Sequence, residues 1–355
     1  MRPTLSRWIF LFGLAAAALM SACAGAAESE PLLRFGFLSD PHLNVASESS
    51  QTAFANALSH FAACDVDAVV MSGDLLDTGS EEEMQLVLTA WRSAFPNGRG
   101  PDGREVVPFV VWGNHDYMDA SYMRTMTPDE LASAYPHQMR NDKDRWWREL
   151  AGEPFPGEVY HRKIRGFSFV GAHWGHEDET GPWMEAHAAG VDTSRFFVHV
   201  QHPHPYGTVY GEASGPKEVK NLLSAYPNCL SLSGHSHLSL ADDRALWQGA
   251  FVALTGSTPS RQVAVIRVYV GRVEIARRDM AANVELPLWT LSMKTVGSDG
   301  ARELSSSAIA FDTKVRTAES IAQTTPFDSC DRRSRTAPAI AFRSTPPTGN
   351  VLLVR

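Results

Sequence analysis

The sequence predicts an α/β fold whose chemistry sits at the carboxyl ends of buried strands. Four polar motifs each close an apolar run that reads as a strand. Asp40-Pro41-His42 ends LLRFGFLSD, and Gly73-Asp74 ends DAVVMSGD. Gly113-Asn114-His115-Asp116 ends VVPFVVWGNHD, and Gly234-His235-Ser236-His237 ends NCLSLSGHSH. A fifth candidate, His202, follows FFVHVQ. Near-continuous apolar runs belong to strands covered on both faces, and open α/β sheets bind ligands outside their strand carboxyl ends.

The segments between these strands supply the helices. Gln51 to Cys64 has helical apolar spacing. Ser80 to Phe95 opens with a capping box, Glu83 standing three residues after Ser80. Asn97 to Val106, rich in Gly, Pro and Arg, reads as a loop. Thr127-Pro128-Asp129-Glu130 repeats the capping device with Pro at the first helical position. It lies in a long insertion, Asp116 to Glu158, with little strand signal, placed to form a substrate-facing wall. Lys217 to Tyr226 is another helical piece. From Leu246 to Arg277 the pattern turns to strands, FVALTG, VAVIRVYV and RVEIAR, the last two joined at a Gly271 turn, and these three are expected to complete the second sheet of a sandwich. After Glu285 the chain is rich in Ser, Thr and Pro, with short apolar pieces (LWTLSM, AIAFDT, AIAFRS, NVLLVR) that suggest a small β-rich extension.

The five motifs supply Asp, His and Asn side chains and no Cys, a donor set for two borderline or hard metal ions. Asp40 and His42, two apart, are expected on one side of an extended strand end. Asp74 has two oxygens with which to bridge. Asn114 offers a neutral oxygen. His202 and His235 can complete one ion and His237 the other. His115 directly follows a donor, so it is expected beside the metals, where a general acid for a leaving alkoxide is needed.

This series of DPH, GDLLD, GNHD, His and GHSH resembles the calcineurin-like metallophosphoesterase family, over roughly Leu33 to Arg278. The stretch FVHVQHPHPYGTVYGE, followed by LLSAYPNCLSLSGHSHLSLADDRALWQ, is similar to an exported bacterial subgroup that includes cyclic-nucleotide-type phosphodiesterases. The resemblance implies a four-layer α/β/β/α sandwich over residues 30–280, with a β-rich C-terminal extension over 285–355. It implies two divalent or trivalent ions, Mn, Fe or Zn. The first would take Asp40, His42, Asp74 and His237, and the second Asp74, Asn114, His202 and His235. His115 takes the place of the family's catalytic histidine. The implied reaction is hydrolysis of a small phosphodiester by a metal-bridging hydroxide. Phosphomonoester hydrolysis is the alternative, and a non-catalytic surface binding protein on the same fold is a third reading. The third would lack a metal donor or the catalytic His, and neither is missing.

Several residues keep two readings. His199 and His204 rival His202, because the fourth motif reads Gln201-His202-Pro203-His204-Pro205. Asp77 and Asp116 either orient donor histidines or bond loop amides. His173 and His176, in GAHWGHEDE, either reach a substrate or belong to a charged surface loop. Trp112 reads as strand core.

Composition is that of a globular enzyme, 44% hydrophobic and 20% charged. The net charge of -8 and the lack of a basic stripe exclude polymeric nucleic acid as the expected partner. Arg2 and Arg7 precede an apolar run from Trp8 to Met20, too short to span a bilayer. Residues 1–23 therefore read as an export signal. Met20-Ser21-Ala22-Cys23 resembles a bacterial lipobox, whereas cleavage after Ala24 or Ala26 would suit an ordinary signal peptidase. The lipobox is preferred because it gives Cys23 a purpose, and it makes the protein a periplasmic or cell-surface lipoprotein that meets the membrane only through its anchor. Cys64, Cys229 and Cys330 are then an odd number, so at most one pair forms.

Overall fold

The computed structural model describes residues 30–117, 126–127, 129–130, 133, 139–209, 214–256, 261–296 and 308–317. All five motif strands form: β1 (Leu33–Leu38), β2 (Ala68–Ser72), β3 (Val107–Val111), β6 (Phe197–Pro203) and β7 (Cys229–Gly234). They divide between two sheets. In the first, β1, β2 and β3 run parallel. In the second, β5 (Phe167–Ala172), β6, β7 and β9 (Val252–Thr255) run parallel. β4 (Val159–Ile164) and β8 (Leu246–Gln248) close the two edges of the second sheet antiparallel.

Strand parity builds the layers. In β6, Val198 and Val200 join the large core between the sheets, while Phe197 faces outward. In β7, Leu230 and Leu232 face inward and Cys229 outward. The inner faces meet through aromatic rings: Phe169 lies 5.4 Å from Phe35 and 5.5 Å from Phe109. Helices α1 (Glu48–Ala63), α2 (Glu81–Ala94) and α3 (Met139–Ala151) cover the first sheet, with α1 against β1 and α3 against β3. Helices α4 (Thr180–Ala186) and α5 (Lys217–Leu223) cover the second, through Met184, Val219 and Leu223. The result is the expected α/β/β/α sandwich.

Both expected capping exchanges form. Ser80 and Glu83 form the reciprocal capping box of α2. Thr127 and Glu130 make the same exchange, Glu130 accepting the Thr127 N–H at 2.7 Å. Helix α1 begins three residues before Gln51, because Ser47 caps it by accepting the Ser50 N–H. Helix α5 ends at Leu223, short of Tyr226.

The hairpin of β10 (Gln262–Tyr269) and β11 (Arg272–Asp279) does not complete the second sheet. It extends the first, with β10 antiparallel to β1. Of the three runs, only FVALTG, as β9, joins the second. A buried hairpin has the same sequence pattern in either sheet; its neighbour is chosen by long-range packing. Further strands continue the first sheet: β12 (Val284–Glu285) and β13 (Trp289–Val296) on β11, then β14 (Ala308–Thr317) on β13. The start of the extension is thus built into the domain, with Trp289 and Leu291 in the core. AIAFRS, NVLLVR and the leader lie outside the described residues. No helix among the described residues is long and apolar enough to cross a membrane.

Much of the long insertion between 118 and 138 lies outside the described residues, and the expectation that it walls the site falls there. Its helix α3 packs on α2, with Arg92–Glu149 and Arg145–Glu81 ion pairs between them, and buries Trp146 and Trp147.

Candidate metal centre

The motifs converge. Asp40, His42, Asp74 and His237 form one group of metal-capable donors, and Asp74, His202 and His235 a second. Asp74 belongs to both. Its Oδ2 lies 3.1 Å from His202 Nε2 and 3.8 Å from His42 Nε2, and its Oδ1 accepts the His115 N–H at 2.9 Å. In the first group the Nε2 atoms of His42 and His237 approach to 2.9 Å, and Asp40 Oδ1 lies 3.4 Å from His237 Nε2. Asn114 enters the second: its Oδ1 lies 3.1 Å from His202 Nε2 and 3.0 Å from His235 Nδ1.

The geometry differs from the expectation at the first motif. Asp40 and His42 do not extend the strand, which ends at Leu38. Both adopt the left-handed region, φ 52° and 43°, as do Asp74, His235 and His237. L-residues avoid this region except Asn, Asp and His, which enter it most readily. Backbone held there concentrates at functional sites. Two glycines let the loops close in: a Cβ on Gly113 would overlap Asp74 Oδ1, and one on Gly234 would overlap Ser39 Oγ and Asp40 Oδ2.

The donor set fits a cation. Four acceptor atoms, from Asp74, Asn114, His202 and His235, crowd together, and the His235 Nδ1 to His202 Nε2 gap is only 3.3 Å. His202 donates its Nδ1–H to the Ser72 carbonyl at 2.8 Å, which leaves Nε2 as the donor atom facing the group. Charge says the same. Burial opposes protonation of His202, yet the Asp74 and Asp40 carboxylates push it up to about 10. Burial likewise opposes ionisation of Asp74, but His202, His42 and His115 hold it below the usual carboxylate range. A cation held there would meet the same demand for positive charge. His235, by contrast, is lowered to about 4 by burial and by His202. His237 is raised by its bond to Asp40.

His115 stands beside these groups. It packs edge-on against His42 with centroids 4.5 Å apart, and its Nδ1–H donates to the Asp77 carbonyl at 2.7 Å. The two second-rank carboxylates separate. Asp77 accepts from Asn44 at 2.7 Å and approaches His42 Nδ1 at 3.6 Å. Asp116 accepts the N–H groups of Leu76 and Gly113 at 2.9 and 2.7 Å, pinning two motif loops together. Burial and the neighbouring Asp74 push Asp116 up to about 8.

The rivals of His202 fall elsewhere. His202 is still within β6, and it shares the inward parity of Val198 and Val200. His199 has the opposite parity and pairs with Ser231 Oγ at 3.1 Å; His204 Nδ1 is 3.4 Å from the Pro205 carbonyl. His173 is a core histidine, accepting the Trp112 N–H at 2.9 Å and stacked between Trp112 and Tyr160. Trp112 is fully buried, as expected. His176 pairs with Glu179 on the surface.

His199 carries a stability prediction. Burial lowers its pKa to about 3. As pH falls below 6.5 the unfolded chain gains a proton there that the folded chain refuses, so stability drains until about pH 3. From pH 7 to pH 5 this costs about 2 kcal/mol at most. His199→Gln is expected to lose about that much less than the parent over this interval in urea unfolding. Equal losses would mean that His199 is not held neutral.

Three features escaped sequence reasoning. Trp174, in the charged segment GAHWGHEDE, sets its ring 5.3 Å from that of His235 and 5.9 Å from that of His202. Glu177, three residues on, is buried, and burial pushes it up to about 7. The third is a clamp. Arg277 is buried with its guanidinium on the Leu240 and Pro287 carbonyls, 3.4 Å over the Trp289 ring. It ties the loop after His237 to β13. Alternating RVEIAR reads only as strand; nothing local marks the arginine.

A family model, Calcineurin-like phosphoesterase, matches residues 33–239. No curated protein matches the chain by sequence. Among solved structures, a dimetal phosphatase from Danio rerio is 14% identical, covering 72% of this chain and 99% of its own, with a TM-score of 0.46. A purple acid phosphatase from yellow lupin (Lupinus luteus) seeds is 14% identical, with 77% and 57% covered and a TM-score of 0.49. GAP50, the anchor in the inner membrane complex of Plasmodium, is 13% identical, with 74% and 89% covered and a TM-score of 0.42. The family match and two donor groups sharing one carboxylate support divalent ions at a dimetal site. The chain belongs to the calcineurin-like phosphoesterase family and is a metal-dependent phosphoric ester hydrolase.

Proposed function

We propose that this hydrolase is an exported phosphodiesterase acting on small, cyclic-nucleotide-like diesters. The observation that carries the chemistry is the Asp74 carboxylate between two donor groups, with His115 on one flank. Asp40, His42, Asp74 and His237 would hold one ion, and Asp74, Asn114, His202 and His235 the other. Ions bound there supply Lewis acidity toward phosphoryl oxygens and lower the pKa of water.

The side chains do the rest. Asn114 adds an oxygen without charge, so two carboxylates are the only anions among these donors and an anionic diester is not repelled. The Ser72 carbonyl fixes the tautomer of His202. The Asp77 carbonyl holds the Nδ1–H of His115, so Nε2 is the nitrogen left to carry a transferable proton. In the reaction a bond forms from a water oxygen to phosphorus, and the bond from phosphorus to the leaving oxygen breaks. Water gives up one proton and the leaving oxygen takes one, with His115 as its donor.

The diester preference is supported by the likeness of Phe197 to Glu212 and Leu222 to Gln248 to exported phosphodiesterases. Metal-reconstituted protein, assayed with its metal content, is expected to cleave bis-p-nitrophenyl phosphate and cyclic nucleotides faster than p-nitrophenyl phosphate. A faster monoester rate would make it a phosphomonoesterase.

Export is supported by the Arg2–Arg7 leader with its lipobox-like Cys23. It is also supported by Cys64, which is disulfide-bonded, while Cys229 is a free buried thiol. Disulfides persist in oxidising compartments. The precursor is expected to be cut before Cys23 and to fractionate with membranes, and Cys23→Ser to block that maturation. Soluble protein cleaved after Ala24 or Ala26 would replace the anchor with plain secretion.

A further inference from the structure

His237 stands in the loop after β7 with its side chain 48% exposed, against 15% for His42 and 0% for Asp40. Its backbone sits at φ 52°, and its ring meets Asp40 and His42, which are donors themselves. The chain just beyond it is caught from across the sandwich. Ser239 donates its hydroxyl to Gln262 Oε1 at 2.7 Å, and the Ala241 N–H donates to the same oxygen at 3.2 Å. Gln262 is oriented in turn by donating to Asp279 Oδ2 at 3.1 Å. Between those two residues, the Leu240 carbonyl accepts from Arg277, whose guanidinium also bonds the Pro287 carbonyl. Strand register puts both side chains in reach. Gln262 pairs with Asp279, and Ala264 pairs with Arg277 on one side and Phe37 on the other. Directly opposed residues share a face. Gln262 and Arg277 therefore lie on the inner face of the first sheet with Phe37, at the end that leads into Asp40. Both are buried, and buried polar groups need bonds. The loop of the second sheet supplies them.

We propose that Gln262 and Arg277 are positioning residues for His237, and that they set the affinity of the ion on the His42–His237 side while leaving the other ion unchanged. This rests on the donor assignment proposed above. His235, two residues before His237, is anchored separately: its N–H donates to Asp40 Oδ1 at 2.9 Å, and its Nδ1 lies 3.0 Å from Asn114 Oδ1. The loop is thus pinned at two points. The pin before His237 belongs to the metal centre. The pin after it belongs to the β10–β11 hairpin, which gives the hairpin's place in the first sheet a task at the site.

Equilibrium dialysis of metal-free protein against Mn²⁺, with bound metal measured by elemental analysis, tests it. The parent is expected to take two ions. Gln262→Met removes the acceptor and keeps the bulk. It is expected to weaken one ion about tenfold, the low end for losing a partner behind a metal donor, and to leave the other within about twofold. Ser239→Ala breaks the same bond from the loop side and should act in the same direction, and the pair together should do no more than Gln262→Met alone. Arg277→Met should weaken the same ion, and Arg277→Lys, which keeps a donor for the Leu240 carbonyl, should recover part of the loss. Donor backgrounds identify the ion. In His235→Ala, which keeps the His42–His237 side, Gln262→Met should weaken the remaining ion about tenfold. In His237→Ala it should change nothing, because the loop then has no donor to place. Weakening of both ions alike, no weakening, or an effect that survives in His237→Ala would overturn the proposal and leave Gln262 and Arg277 as packing residues. A parent that takes up a single ion would overturn the donor assignment and this inference together. A parent with two ions and unselective variants would overturn the inference alone.

Discussion

Asp74→Asn is expected to cut kcat/KM on the order of 10³-fold or more, and bound metal from two ions to one or none, the scale of losing an electrostatic keystone. The substitution is nearly isosteric. Asn keeps an oxygen for the His115 N–H, so the loop after β3 should hold its shape. The charge is what goes, and it is the one shared by both donor groups. Of the two central carboxylates, only Asp74 stands within reach of both His42 and His202. Asp40→Asn should therefore weaken the His42–His237 side alone. His202→Ala and His235→Ala should lower occupancy on the other side. Metal content by elemental analysis and kcat/KM on bis-p-nitrophenyl phosphate check this together. An Asp74→Asn enzyme that still holds two ions at parental activity would sink the shared-carboxylate assignment.

The metal centre was legible because each motif couples an apolar strand to a glycine and a polar donor, and each coupling has a local cause. Gly113 and Gly234 are small because neighbouring carboxylates occupy the space a Cβ would fill. The choice of His202 over His199 was also within reach of the sequence. In a two-sided strand, Val198, Val200 and His202 share one face, and His199 shares the other with Phe197. What could not be read was anything decided by a distant neighbour. The β10–β11 hairpin has the pattern of either sheet. The GAHWGHEDE segment looks like solvated charge. Yet it folds back on β3 through the Trp174–Trp112 bond, buries His173 and Glu177, and delivers a tryptophan to the site. Arg277 is similar: an arginine in an alternating strand normally points to water. Here the strand lies under the loop after His237, and carbonyls with the Trp289 ring replace the water.

His115→Ala is expected to do something different from any donor substitution: keep both metals and lose on the order of 10²–10⁴ in kcat, the range of general acid catalysis. Its place outside the two main donor groups is the reason to expect retained metal. It meets them through ring contact with His42, with which, together with Asp77, it forms a further group of metal-capable donors, and through its backbone N–H, which alanine retains. The size of the loss should follow the leaving group. Nitrophenolate departs well without a proton, so the loss on bis-p-nitrophenyl phosphate should be small. A ribose alkoxide departs poorly unless protonated, so the loss on a cyclic nucleotide should be large. A group that merely binds the phosphate would slow both alike, because both present the same phosphoryl oxygens. A metal donor would show itself as lost metal before any difference in leaving group appeared. The ratio of the two losses, measured with metal content on the same sample, therefore separates three roles for one histidine. A ratio near one would assign His115 to phosphate binding and leave the leaving oxygen without a side-chain acid.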